Sequence, residues 1–191
     1  MKHLLRRTMD NAILRRTLRR KEQGQALVFV ALVITFLAML FLTCIEIGGR
    51  YQELAEIEDA LKQATRSAVQ AFDYAAFARN GEQVRETQAT TITGCGSLAP
   101  NSARALACAV VLTNLHGVRG LEETPEQTAA RVEWTFLPQG GTCTFPNGRP
   151  AVTFTTPAVC ATVQPRMTGL LGWGIWTPQI DAADTLDHIG N

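Results

Sequence analysis

The longest hydrophobic run of the chain extends from Ala26 to Ile45, 20 residues with no charge before Glu46. At ~1.5 Å per residue, a helix of this length covers roughly 30 Å, the thickness of a bilayer's hydrocarbon core. Its few polar members are threonines, which can bond to a carbonyl one turn back, and a cysteine, which behaves as a small hydrophobe. The pattern predicts a transmembrane helix over residues 25–50.

Beyond this run, apolar residues recur at alternating steps of three and four, the spacing of one helix face. They begin at Leu54 and continue to Ala75, which predicts an amphipathic stalk helix over residues 51–80 that ends near Asn80–Gly81. Small residues along this face allow another backbone to approach closely. We favour packing on the protein's own sheet, and the alternative is contact with a partner, through Ala64, Ala68, Ala71 and Ala75.

Residues 81–191 have the pattern of a mixed domain. Residues 82–100 are polar and predict a loop, and Ala and Leu spacing predicts a second helix over 101–115 with Gly117 after it. Alternation between Val132 and Phe136 predicts a half-buried strand. Further strands are expected at 152–155, 159–163 and 175–182, with turns at 138–141 and 146–148. The fold class is therefore α+β, an antiparallel sheet packed with helices.

Charge is distributed unevenly along the chain. Residues 1–24 hold eight basic and two acidic residues, a net charge of +6, whereas the whole chain has a net charge of only +1. Basic residues beside a transmembrane helix stay in the cytoplasm. The leader predicts a single-pass membrane protein, with its N-terminus inside and residues 81–191 outside.

Three other interpretations of the apolar run are weaker. A buried soluble helix is rarely apolar all round over this length. A cleaved secretory signal has an apolar region of about 7–15 residues followed by a small-x-small site, which Thr43–Glu46 does not provide. Lipid attachment at Cys44 would need a smaller residue than Thr43 before the cysteine.

Four cysteines lie on the predicted outer side, and an even number there indicates two disulfides. Three pairings are possible. We favour the connectivity in which each of the two bridges closes a short loop. Four reduced thiols are the alternative. The favoured pairs are Cys95–Cys108 and Cys143–Cys160.

The sequence contains no enzyme signature, and we expect no cofactor, metal site or small-molecule substrate. The histidines are isolated, no C-x-x-C spacing occurs, and Gly140–Gly141 lacks the lysine and helix of a phosphate loop. The carboxylates of Glu122–Glu123 and of Asp181, Asp184 and Asp187 have the pattern of solvated charge rather than of a paired acid and base. The basic leader fits lipid contact and orientation better than nucleic acid.

An apolar, glycine-rich segment covers residues 169–176 and contains Trp173 and Trp176. Two placements remain equally open for these tryptophans. They can pack in the core, or they can form an exposed contact for another subunit or for the membrane interface.

The order of elements at the start of the chain resembles the TadE/TadG-like family of minor pilins and assembly proteins of tight-adherence (Flp, type IVb) pili. The resemblance covers about residues 20–78. It consists of Gly-Gln-Ala-Leu-Val from Gly24, the apolar run, Glu46-Ile-Gly with the Arg50–Tyr51 pair, and the Ala-rich helix. It implies a pilin-like fold, a location in the bacterial cytoplasmic membrane, and a role in pilus assembly through contacts with lipid and other subunits. It also implies that the protein can be incorporated into a surface pilus.

The same resemblance makes Gly24–Gln25 a possible processing site. Cleaved prepilins carry Glu at the fifth position after the Gly, and this chain has Phe29 there. We therefore expect poor or no cleavage. The alternative function is a membrane-tethered binding or sensing domain unrelated to pili, which the neighbouring genes would distinguish.

Overall fold

The computed structural model describes most of the chain, and for residues 2–25 it describes the backbone only. The described residues are 2–71, 89–96, 102–146, 149–169, 171–172 and 174–186. They divide into two compact units, Met1–Glu46 and Ile47–Asn191. The first unit is helical, and the second holds the sheet.

Helix α1 runs without interruption from Lys2 to Gln70. It includes the predicted basic leader, the apolar run and most of the predicted stalk helix. Inside the apolar run, Thr35 donates its hydroxyl to the Ala31 carbonyl at 2.9 Å and Thr43 does the same to Met39 at 2.8 Å. Both bonds confirm the expected return of a threonine hydroxyl to the preceding turn. The predicted helix end at Asn80–Gly81 lies outside the described residues.

Two shorter helices have side-chain caps that explain where they begin. Helix α2 is Ala103–Leu115, and the Ser102 hydroxyl accepts a bond from the Ala105 amide. Helix α3 is Pro125–Ala129, opened by a capping box between Thr124 and Gln127. The prediction of a helix over residues 101–115 is confirmed, whereas α3 was not predicted.

Eight strands occur in the described part of the second unit. They are β1 Thr90–Thr93, β2 Glu133–Leu137, β3 Gly141–Cys143, β4 Val152–Phe154, β5 Ala158–Val163, β6 Met167–Thr168, β7 Ile175–Trp176 and β8 Ile180–Thr185. Four of them form an antiparallel sheet in the order β1-β2-β5-β8, and β3–β4 and β6–β7 form two separate hairpins. In the register of the sheet, Trp134 lies opposite Ala161, and Cys160 lies opposite Ala183.

One face of the sheet packs on the two longer helices. Trp134 and Phe136 of β2 point to this side and are fully buried. They share a core with Ile57 and Leu61 of α1 and with residues of α2 such as Val111. The alternation that predicted β2 arises because every second side chain of a strand meets this core.

The opposite face carries a smaller core under the β3–β4 hairpin. Leu137, Cys143, Ala158 and Cys160 are buried there, and Phe145 and Phe154 pack against them. Strand β5 is therefore covered on both faces, with Val159 in the larger core and Cys160 in the smaller one. Covering on both faces explains its continuous apolar sequence.

The predicted mixture of helices and an antiparallel sheet is confirmed, and the differences concern short strands. The single strand expected at 175–182 is two strands, β7 and β8, because Pro178 between them cannot donate to a ladder. Strand β1 lies inside the predicted loop 82–100, and β3 begins in the predicted turn 138–141. Strand β6 was not predicted.

Candidate functional site

The side chains of the apolar run are exposed along α1. Leu27 is 72% exposed, Phe29 68% and Phe41 67%. Among the described residues this is the one helix long and apolar enough to cross a membrane, with a mean hydropathy of 2.9 in its most apolar stretch. A core helix of a soluble protein would be mostly buried, and none of this stretch is. The helix therefore has the surface expected of a lipid-exposed span.

The possible processing site lies within the same helix. Gly24 and Gln25 have helical backbone, and their side chains lie outside the description. Poor or absent cleavage between them stays a prediction. Cys44, inside the apolar run, is a free and exposed thiol.

Of the four alanines that we considered as a partner contact, three are described, and all three pack in the domain itself. Ala64 and Ala68 are completely buried and belong to the larger core of the domain itself. They are therefore not a partner surface, and the favoured alternative, packing on the protein's own sheet, describes them. Ala71 is partly buried against the same core, and Ala75 lies outside the described residues.

Of the two tryptophans in the glycine-rich segment, Trp176 is described and Trp173 lies outside the described residues. Trp176 is partly buried against the larger core. Its ring lies under the Arg50 guanidinium, 5.8 Å from the ring centroid. This cation–π contact ties β7 to the first turns of α1 within the second unit, and sequence reasoning did not anticipate it.

Both predicted cysteine pairs are brought to disulfide distance. The Cα atoms of Cys95 and Cys108 are 5.7 Å apart, and those of Cys143 and Cys160 are 6.2 Å apart. The first pair joins the segment after β1 to α2. The second joins β3 to β5 through the smaller core. These distances match the pairing that we favoured over the two other connectivities.

Four of the five acidic residues expected to be solvated are described, and each has an ionic partner. The Asp181 side chain is only 3% exposed and lies 3.2 Å from the Arg149 guanidinium. It also accepts bonds from the Thr162 hydroxyl and, at 2.9 Å, from the Gln179 amide. The prediction was wrong for Asp181 because the sheet register places it opposite Thr162 of β5 in a buried position, where a carboxylate needs partners.

Other carboxylates of the domain have partners too. Asp184 lies 3.1 Å from Arg66, Glu122 lies 2.8 Å from Arg166, and Glu123 pairs with Arg131. Asp187 lies outside the described residues. These ion pairs join α1 to β8, and they join the segment before α3 to the residues after α3 and after β5.

The one histidine whose side chain is described lies on the surface. His116 follows α2, is 62% exposed and lies 3.5 Å from Glu126. The pKa of the Glu126 carboxyl is lowered because its own backbone amide and the Thr124 hydroxyl donate to it, with a smaller contribution from His116. His3 and His188 lie where no side chain is described.

Two further features bear on whether the domain could hold a metal ion or a small molecule. Within the described ranges, no three His, Cys, Asp or Glu side chains are grouped so that they could hold a metal ion. An open depression of about 400 Å³ lies near the end of β5. It is lined partly by Ala130 and Arg131, which follow α3. Its charged residues include Arg131, whose guanidinium is already paired with Glu123.

These features define a class: a chain whose described residues include a helix able to span a membrane and, after it, an antiparallel-sheet domain with two cysteine pairs at disulfide distance. Comparison with models of protein families, with curated proteins and with solved structures finds no match.

Proposed function

We propose that the protein is a membrane-anchored, TadE/TadG-like component of a type IVb (tight-adherence) pilus or of a related secretion apparatus. Its work is assembly: the span lies among lipid and partner helices, and the outer domain contacts other subunits. The proposal includes no catalysis, cofactor, nucleic acid or small-molecule substrate.

One observation carries the proposal, the continuity of α1. The helix holds the exposed apolar run and, farther along, core residues of the domain such as Ile57 and Leu61. A removable targeting sequence would not need to be part of the core. A helix shared by span and domain supports a permanent anchor, which is what a pilin-like subunit requires. The Gly24–Gln25 motif and the Arg50–Tyr51 pair support the family.

The proposed orientation places the N-terminus in the cytoplasm. It is supported by the leader's net charge of +6. It is also supported by the cysteines, because the four that pair all lie beyond the span, in a compartment that would be oxidising.

Thiol labelling tests the orientation. In a Cys44→Ser background, Gln52→Cys should react with a membrane-impermeant maleimide in intact cells made permeable only at the outer membrane. Thr17→Cys should react only after lysis, and serves as the matched control. The reverse pattern would contradict the orientation.

Deletion and co-purification test the role in assembly. Removing the protein should abolish surface pili or secretion, and the full chain supplied in trans should restore them. Tagged protein should co-purify with pilus subunits in mild detergent. If pili persist and no subunit is recovered while the protein remains in the membrane, the tethered binding or sensing domain becomes the better description.

A further inference from the structure

The β6–β7 hairpin is fixed at its base and presents apolar side chains at its end. Met167 of β6 is fully buried and pairs with Trp176, and Thr168 pairs with Ile175. The Thr168 amide donates to the Gly120 carbonyl at 2.8 Å. Near the turn, Leu171 is 39% exposed and Ile175 is 51% exposed. We call these two residues the aliphatic pair.

Two contacts place this hairpin beside the first turns of α1 in the second unit. Trp176 lies under the Arg50 guanidinium. Glu53, one turn farther along α1, packs so closely on Gly120 that a Cβ there would overlap its carboxylate. Gly120 in turn accepts the bond from Thr168. The hairpin is thus held at the end of the domain where the chain enters it.

That end of the domain is close to the apolar run along the chain. Arg50 is five residues after Ile45, and five residues span at most about 18 Å even when fully extended. The polar headgroup region of a bilayer occupies several ångströms beyond its hydrocarbon core. If the run spans a bilayer, Arg50 and the ring it covers are therefore within reach of the headgroups.

The residues around the hairpin have the chemistry of a membrane interface. Tryptophan and tyrosine concentrate at the headgroup level, and arginine places its charge there while its stem stays apolar. Trp176, Arg50 and Tyr51, which is 69% exposed, supply all three. Isolated exposed aliphatic residues are ordinary on protein surfaces. What distinguishes the aliphatic pair is its place in the same hairpin as Trp176: Ile175 directly precedes the tryptophan in β7, and Leu171 lies near the turn.

We propose that the β6–β7 hairpin is a second membrane contact, with Leu171 and Ile175 inserted into the interfacial region of the outer leaflet. Phospholipid, rather than protein, is the occupant that the surface fits. A stable protein interface buries about 800 Å² on each partner, far more than two half-exposed aliphatic side chains present. This inference rests on the proposed membrane anchor.

Quenching by brominated lipid tests the contact. The full chain, with Cys44→Ser, is reconstituted in phosphatidylcholine vesicles with brominated acyl chains, and a fluorophore is attached to a single new cysteine. Labels at Ile175→Cys and at Leu171→Cys should be quenched at least twofold more than a label at Val152→Cys. Val152 is the matched control, because it is 40% exposed but lies in the β3–β4 hairpin.

A label at Phe41→Cys, inside the apolar run, separates this inference from the proposed anchor. Quenching at Phe41 without quenching at either hairpin position overturns the membrane contact and leaves the anchor intact. No quenching at Phe41 overturns the anchor itself, and the hairpin contact with it. Hairpin labels that are open to water in vesicles but shielded in native membranes would identify a protein partner and overturn the lipid assignment.

Discussion

At Gly94 the chain turns sharply where β1 ends. Its φ of 72° lies in the left-handed region, and a Cβ there would come within 2.5 Å of the Ala130 carbonyl oxygen. The Gly94 amide donates to the Val132 carbonyl at 2.7 Å, and its own carbonyl accepts from the Arg104 guanidinium at 2.9 Å. One residue thus joins the end of β1 to α2 and to the approach to β2, directly before Cys95.

Gly94→Ala should therefore destabilise the domain by about 1–3 kcal/mol, since a non-glycine residue is strained there and its Cβ meets backbone. Gly96→Ala is the matched control, because nothing lies within 4 Å of its Cβ position. Thermal unfolding of the two purified variants in detergent measures the difference. Equal midpoints would contradict this account of Gly94.

Ala68 gives a second test at the scale of single residues. It is completely buried in the larger core, and a leucine there should cost about 1–3 kcal/mol through overpacking. Ala55→Leu, at an exposed position of the same helix, should leave the unfolding midpoint nearly unchanged. A large loss from Ala55→Leu, with none from Ala68→Leu, would reverse the assignment of the two helix faces.

Sequence patterns predicted the burial of a residue well where the alternation within one segment determines it. Trp134 and Phe136 alternate with polar neighbours, and the structure buries both. The prediction that Asp181 is solvated failed because its partners, Arg149 and Thr162, come from other strands and loops. Spacing within one segment cannot reveal such partners. The Arg50–Trp176 contact was missed for the same reason, since 126 positions separate the two residues along the chain.

At the scale of elements, α1 is the part of the fold that the domain can least do without. Five of its side chains lie in the larger core and are at most 2% exposed, namely Ile57, Leu61, Ala64, Ala68 and Val69. A hydrophobic face at this spacing gains its stability from tertiary packing rather than from helix propensity. The sheet and α2 therefore need this part of α1 to close their core.

A fragment of residues 47–191 should consequently fold as a soluble unit, whereas residues 72–191 should not. The shorter fragment loses the core face of α1 and leaves apolar sheet residues exposed. Circular dichroism and cooperative thermal unfolding distinguish the two, and both fragments retain all four paired cysteines. Cooperative unfolding of residues 72–191 would show that α1 is dispensable.

Among the elements, long periodic segments were predictable and short strands were not. α2 matched because its apolar spacing and its Ser102 cap are both local signals. β1 was hidden in a polar region, although Thr90-Thr91-Ile92-Thr93 is rich in β-branched residues that favour strands. β6 has only two residues and exists through its pairing with β7, so no local pattern specifies it.

For the whole molecule, the two cysteine pairs close loops in different parts of the domain. One joins α2 to the segment after β1, and the other joins the two layers of the smaller core. Both loops lie in one compact unit. Each bridge restricts the unfolded chain, so stability of the unit depends on the redox state of its compartment.

Replacing either pair by serines should lower the free energy of unfolding by about 2–4 kcal/mol. The double variants are Cys95→Ser with Cys108→Ser, and Cys143→Ser with Cys160→Ser. Cys44→Ser is the control, because this thiol is free and exposed. Mass spectrometry of non-reduced peptides should find both bridges in the native protein, and four alkylated thiols would contradict them.

Because the helix that carries the apolar run also contributes side chains to the larger core, it determines how the second unit responds to a pulling force. Tension between a bilayer and a subunit gripping the domain would act on Ile57 and Leu61 rather than on a peripheral tail. The domain should then resist with little extension and yield abruptly, when the core opens. The two bridges close loops of 13 and 17 positions, and the chain inside these loops cannot extend under tension.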